Sequence, residues 1–256
     1  MNVSLRSRSW RRSGTETQSS LGSTLVQAIP LALFVLAARA LTHFYYPLGS
    51  HVLDEIWDLT CLGIALSGVV LRAIATGYGA PRFDEMPRTL STSGIFSLMR
   101  HPHMLGTLLI YAGAIFFMHD IDLTLVAIVL LWIYARRRMI DRDRQLSERF
   151  GTRFERWAAN TSAIFPVFTH WTAPVNPFNW RRVLLYEHQS LVLTAIVFAA
   201  LEVGGHFAVD RTLEVEGWWV VFLAFSAGLT CLVNGLKRWS GFLNNVDGGS
   251  FETPGL

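Results

Sequence analysis

Three short stretches of this chain carry more chemistry than their apolar surroundings require. The first is "SLMRHPHMLG", residues 97–106, where Arg100, His101 and His103 surround Pro102 before the chain turns apolar again. Proline suits the first turn of a helix, because its missing N–H would have had no partner there. A helix starting near His103 presents free amides and a positive dipole end, which attract an anion. Arg100 and His101 would add donors for a carboxylate or phosphate. The same residues equally suit an arginine that anchors a membrane span, followed by a convenient helix start.

The second stretch, "RRRMIDRDRQLSERFGTRFERWAANTSAIFP", covers residues 136–166 and sets Asp143 between Arg142 and Arg144. Met139, Ile140, Leu146, Phe150, Phe154 and Trp157 recur mostly at spacings of three and four, the pattern of an apolar stripe on a basic helix. Such a helix rests on a membrane surface and favours anionic lipid. Gly151 interrupts it and Pro166 closes it. The third stretch, "NWRRVLLYEHQ" at 179–189, holds Arg181, Arg182, Glu187 and His188, which read either as an acceptor-binding cluster or as a salt-bridged helix entry.

The elements that must position these residues are membrane spans. Of the 256 residues, 51% are hydrophobic and only 16% are charged, against about a quarter charged in a soluble domain. Crossing the hydrocarbon takes about 20 mostly apolar residues. Candidate runs lie near 24–46, 55–76, 103–118, 121–135, 183–209 and 218–236. The third and fourth are short and separated by "HDID", which predicts a tight helical hairpin. The fold class is therefore all-α, a multi-pass transmembrane helical bundle of about six spans with a cytoplasmic amphipathic helix after span four.

Charges in the connections alternate. Arg6, Arg8, Arg11 and Arg12 precede the first span, and Asp54 and Glu55 follow it. Arg82, Arg88 and Arg100 fill the next connection, and "HDID" is acidic. Ten arginines against four acids occupy 136–182, "DRTLEVE" is acidic, and Lys237 and Arg238 follow the last run. The positive-inside rule then puts both termini and the two long connections in the cytoplasm. A basic start, an apolar run and "ARA" at 38–40 would also suit a cleavable signal peptide. Residues 1–23 and 240–256 read as flexible tails, leaving one membrane domain at 24–239. A bacterial inner membrane is the expected location. Arg39, Asp58 and Glu202 read as interfacial charges that snorkel outward or pair. Cys61 and Cys231 lie in apolar runs with no disulfide or metal spacing. Neither metal nor nucleic acid is expected.

Taken in order, "TSGIFSLMRHPHMLG", a short hairpin, an acidic position and "LSERFGTRFERW…IFP" resemble the isoprenylcysteine carboxyl methyltransferase family and the related phospholipid methyltransferases. Ser93, Gly94, Phe96, Arg100, His101, Pro102 and Gly106 fit that pattern, as do Leu146, Phe150, Gly151, Phe154, Trp157 and Pro166. The match covers 91–166, which is taken as a methyltransferase-like core. Two positions depart: Met104 stands where the family has tyrosine, and Arg142 with Asp143 where it has paired glutamates.

The resemblance implies an S-adenosylmethionine-dependent methyltransferase embedded in the bilayer and acting on a lipid or lipidated substrate. Arg100, Asp143 and Arg142 become candidate catalytic residues. His101, Pro102, His103, Gly106, Phe150, Phe154 and Trp157 become candidate cofactor-binding residues, with the aromatic side chains covering adenine or facing the sulfonium. Arg181, Arg182, Glu187 and His188 are candidates for substrate binding. An ionised carboxylate or phosphate needs no general base, so an anionic oxygen is the expected acceptor. Two other classes compete. One is an NADPH-dependent enzyme similar to sterol reductases; the other is a non-catalytic membrane adaptor that binds anionic lipid through its arginines.

Overall fold

The arginine-rich segment does not leave the fourth apolar run as a separate helix. In the computed structural model, which describes residues 51–79, 89–210 and 217–239, one helix runs unbroken through Ile121–Phe150. Seven α-helices are described: α1 (His51–Gly77), α2 (Ile95–Leu98), α3 (Pro102–Phe116), α4 (Ile121–Phe150), α5 (Thr152–Asn160), α6 (Trp180–Asp210) and α7 (Gly217–Trp239). A 3-10 turn at Phe168–His170 lies between α5 and α6. Among the described residues every regular element is helical. The expected first span, Arg39, Arg82, Arg88 and both tails lie outside the described residues.

Among the described residues, three helices are long and apolar enough to cross a membrane: Val52–Gly77, Trp180–Gly205 and Trp219–Leu236. Pro102–Phe116 is a shorter apolar helix. The molecule turns much of its apolar surface outward. Ile56, Leu59 and Val70 on α1, Leu125, Val129 and Trp132 on α4, Leu193 and Ile196 on α6, and Val221 and Phe225 on α7 are all exposed. Apolar surface on that scale marks contact with something other than water, and with three span-length helices it describes a membrane protein.

The predicted hairpin is present. Residues 117–120 join α3 to α4, and the Asp120 side chain caps the new helix by accepting from the Leu123 N–H at 2.9 Å, as N-cap carboxylates do. His119 in this turn has φ 55°, and burial holds its imidazole below the usual histidine range. The main apolar core gathers at this end, where Phe117, Phe198 and Trp219 bring the turn, α6 and α7 together. Phe117 meets Phe198 edge-on at 5.5 Å between centroids, and Phe198 stacks on Trp219 at 6.1 Å.

At the other end of the hairpin, α4 keeps one inward face for its whole length: Leu123, Ala127, Leu131, Ala135, Met139, Arg142 and Leu146 are buried. The apolar stripe read from the sequence thus turns partly onto the protein itself. Met139 packs with Met104, Ala135 and Ile164, and Leu146 packs with Leu90 and Phe154. Ile140 remains exposed. Gly151 breaks the helix with φ 52° and ψ −133°, a backbone that residues with a Cβ rarely adopt; α5 then starts in a new direction.

Asp58 and Glu202, expected at the interface to snorkel outward or pair, are buried, with 4% and 5% exposure. Carboxylates this deep must be partnered inside the protein.

Candidate functional site

Arg100 and His101 precede α3 in an extended segment that the returning chain grips. The Arg100 N–H donates to the Ser162 carbonyl at 2.8 Å, the His101 N–H to Ala163 at 3.0 Å, and the Val167 N–H to the Leu98 carbonyl at 3.1 Å. Further back, the Gly94 N–H donates to the Thr172 carbonyl at 2.9 Å. The Ser97 hydroxyl donates to the Gly94 carbonyl at 2.7 Å and accepts from the Thr172 N–H at 3.0 Å. Ser93 Oγ accepts from the Val175 N–H at 3.1 Å. The connection after α5 therefore fixes the backbone of residues 93–101 before α3 begins, with His101 as N-cap and Pro102 in its first turn.

On that fixed backbone, Arg100 Nη1 donates to Asp143 Oδ2 at 2.6 Å, and His101 Nε2 lies 3.0 Å from Asp143 Oδ1. The imidazole is almost fully buried, whereas Asp143 keeps 26% of its side chain exposed. Arg100 Nε has no hydrogen-bond partner although it is shielded from solvent. The sequence anticipated that these two stretches could meet, and they do. One carboxylate holds an arginine and a histidine while retaining an open side and an unused buried donor nearby.

A second polar cluster lies on the other side of the α3 start. Arg72 of α1 donates through Nε to Glu187 Oε2 at 3.0 Å and through Nη1 to Thr107 Oγ1 at 2.6 Å. Glu187 also accepts from Thr76 at 3.0 Å and from Ser190 at 2.9 Å. His103, one helical turn before Thr107, is buried, and its Nε2 has no hydrogen-bond partner. Arg142, also buried, is close enough to act electrostatically on His103.

Glycine permits this proximity. A Cβ on Gly106 would come within 2.6 Å of Arg72 Cγ and of the Gly68 carbonyl oxygen. Gly106 thus faces α1, and its lack of a side chain lets Arg72 pass across α3. Met104, which replaces the family tyrosine, is 3% exposed and fills the apolar contact with Ala135, Met139 and Ile164. That departure falls in the packing between α3 and α4.

The aromatic candidates divide. Phe154 is buried and meets Trp157 edge-on at 5.8 Å. Trp157 also contacts the cluster of Ala75, Ile95 and Phe96, and its indole N–H is buried without a partner. Phe150 is half-buried beneath the Arg149 guanidinium, which lies 5.8 Å from its ring centroid. In the third stretch, Arg181 lies on the surface over Trp180 at 5.9 Å, while Arg182 is buried. His188 Nδ1 bonds within its own helix to the Leu184 carbonyl at 2.7 Å. Glu187 joins that group to Arg72 on the α3 face.

Sequence reasoning missed Arg72 and Ser97. Arg72 carries a signal, as a lone arginine inside an apolar run; Ser97 acts through backbone contacts that no motif marks.

No curated protein and no solved structure matches this chain. Residues 59–153 match the family described as phospholipid methyltransferase. The matched segment contains Arg72, the Arg100–Gly106 stretch, the hairpin, Arg142 and Asp143. These matched residues, which supply both polar clusters flanking α3 except for Glu187 and Ser190, are similar to the phospholipid methyltransferase family.

Proposed function

We propose that the protein is a membrane-embedded, S-adenosylmethionine-dependent methyltransferase that transfers its methyl group to an anionic oxygen of a lipid or lipidated substrate. The observation that carries this reading is the junction of Arg100, His101 and Asp143 at the start of α3, within the segment that matches the family. S-adenosylmethionine, when bound, supplies a methyl group activated by its sulfonium.

The residues present suit that cofactor. Arg100 Nε and the α3 start offer donors to its carboxylate, as arginines and helix N-termini commonly do. The Trp157 indole N–H is a further buried donor without a partner. Phe150, Phe154 and Trp157 provide aromatic surface for the adenine. Asp143 orients Arg100 and His101, and its exposed side remains open to an ammonium or hydroxyl group. Arg142 adds positive charge beneath this junction. Methyl transfer is an in-line displacement, so alignment and charge placement should supply most of the acceleration.

The acceptor arrives from the bilayer. Arg181 and Arg182, with the exposed Arg136, Arg137 and Arg144, would draw an anionic headgroup to this side. His188, next to Glu187 in α6, completes the acceptor-binding group. In this reading α3 and the first half of α4 complete a six-span bundle with the first apolar run, both termini are cytoplasmic, and the membrane is a bacterial inner membrane. Residues 24–239 form the single domain, with its core at 91–166.

The test is to incubate membranes containing the protein with methyl-labelled S-adenosylmethionine and extract the lipids. Label should enter the lipid fraction, and Arg100→Ala or Asp143→Ala should abolish it while membrane insertion is retained. Full turnover in both variants would reject the site. Unlabelled lipid with the intact protein, across an extract of mixed headgroups, would reject the activity.

A further inference from the structure

The cluster around Arg72 is joined to the α3 start yet leaves two donors unused. Glu187 is held on both oxygens, which take Arg72 Nε, Thr76 and Ser190. It therefore works as a fixed counter-charge that holds the Arg72 side chain in one position. Thr107 completes the clamp: it accepts from Arg72 Nη1 and donates to the His103 carbonyl at 2.9 Å. These bonds occupy Nε and Nη1 and leave Arg72 Nη2 without a partner among the described residues, with 21% of the side chain exposed. His103 Nε2 is the second unused group, on an imidazole more than nine-tenths buried.

Both groups belong to one face. His103 and Thr107 are four residues apart on α3, hence neighbours on its surface, and Arg72 is bonded to Thr107. Arg72, Glu187 and Arg142 are the charged groups that act on His103. With the Glu187 charge met by Arg72 and two hydroxyls, Arg142 adds positive charge to this face. Buried polar atoms in native proteins are nearly always partnered, so an unmatched imidazole nitrogen beside an open guanidinium edge marks a place for a ligand oxyanion.

Position identifies the ligand further. Arg72 lies five residues before the end of α1, about 8 Å inside it at 1.5 Å per residue. Further into α1 and α6 the outward surface is apolar, with Val70 and Leu193 exposed. An oxyanion bound here would therefore sit below the helix end, at a depth where the outer surface of these helices is apolar.

We propose that Arg72 and His103 form the subsite for the oxyanion headgroup, phosphate or carboxylate, of the acyl-chain acceptor. Arg72 Nη2 and His103 Nε2–H donate to it, and Glu187 positions Arg72. This rests on the lipid methyltransferase reading above, and it moves His103 from the cofactor to the acceptor.

The experiment uses the full chain in dodecyl maltoside micelles with histidine labelled at its ring nitrogens, and follows the imidazole resonances by NMR. The His103 signals are identified among the eight histidines by their loss in His103→Gln. Dihexanoyl phosphatidate and octanoate are the tailed probes, inorganic phosphate the tail-free one, and S-adenosylhomocysteine binding is measured on the same samples. A tailed probe should shift the Nε2 resonance of His103, and Arg72→Gln should weaken that probe by at least about tenfold with S-adenosylhomocysteine affinity retained.

If Arg72→Gln does not fold, His103→Gln with probe affinity as the readout replaces it, and the same loss is expected. Failure of both tailed probes to move His103 while S-adenosylhomocysteine binds overturns the subsite alone. Failure of S-adenosylhomocysteine to bind overturns the underlying reading. An equal response to inorganic phosphate at the same concentration overturns the lipid assignment in favour of a free-anion site.

Discussion

Asp143 is the residue at which two distant stretches of the chain become one site. It joins Arg100 at 2.6 Å and His101 at 3.0 Å. Removing a single partner from a partly buried ion pair leaves the other charge uncompensated, so the expected damage exceeds the loss of one contact. Asp143→Asn, which keeps the shape and removes the charge, should lower methyl transfer by at least about a hundredfold, or about 3 kcal/mol of transition-state stabilisation. Steady-state rates on membranes would show this, and a loss below threefold would make Asp143 a bystander. Gly106 makes a different kind of contribution. Gly106→Val would drive side-chain atoms into Arg72 and the Gly68 backbone; overpacking of this kind costs about 1–3 kcal/mol and should lower the thermal midpoint of the solubilised protein.

At the level of elements, the site depends on a connection that has little regular structure. Residues 162–175 return beneath 93–101 and hold them through main-chain hydrogen bonds. Ser97 bridges the two segments with a bond on each side. At about 1 kcal/mol per net hydrogen bond, Ser97→Ala should destabilise the clamp by about 1–3 kcal/mol and reduce turnover without altering Arg100, His101 or Asp143. Hydrogen exchange at the Thr172 amide would report the loosening directly, and unchanged protection there would show that Ser97 is dispensable. Gly151→Ala places a Cβ at φ 52°, which costs about 1–2 kcal/mol and should tilt α5 with Phe154 and Trp157.

What could be read from the sequence follows the range of each signal. Pro102, "HDID" and Asp120 are local markers, and the hairpin lies where they place it. Spacing allows residues 101 and 143 to meet without requiring it, because the meeting depends on how α4 continues. The shift from apolar to arginine-rich composition near Arg136 conceals that α4 is one helix to Phe150. Arg72 is hard to see because charge reading attends to loops, whereas its partners Glu187 and Thr107 come from two other helices. Asp58 and Glu202 look interfacial by position alone, and their burial follows from neighbours that one-dimensional hydropathy does not contain.

For the whole molecule, the exposed apolar belt and three span-length helices put the hairpin turn and the polar clusters at opposite ends of the bundle. In intact cells, Asp122→Cys should react with a membrane-impermeant maleimide, and Ser147→Cys should react only after permeabilisation. The reverse pattern would invert the bundle and put the arginine-rich end outside.

The account depends most on the α3 start being a cofactor site, and equilibrium binding of S-adenosylhomocysteine to the purified protein measures that without knowledge of the acceptor. The intact protein should bind it saturably, and Arg100→Ala should weaken binding by at least about tenfold, or about 1.4 kcal/mol. No saturable binding to a folded sample, or binding of NADPH in its place, would contradict the account.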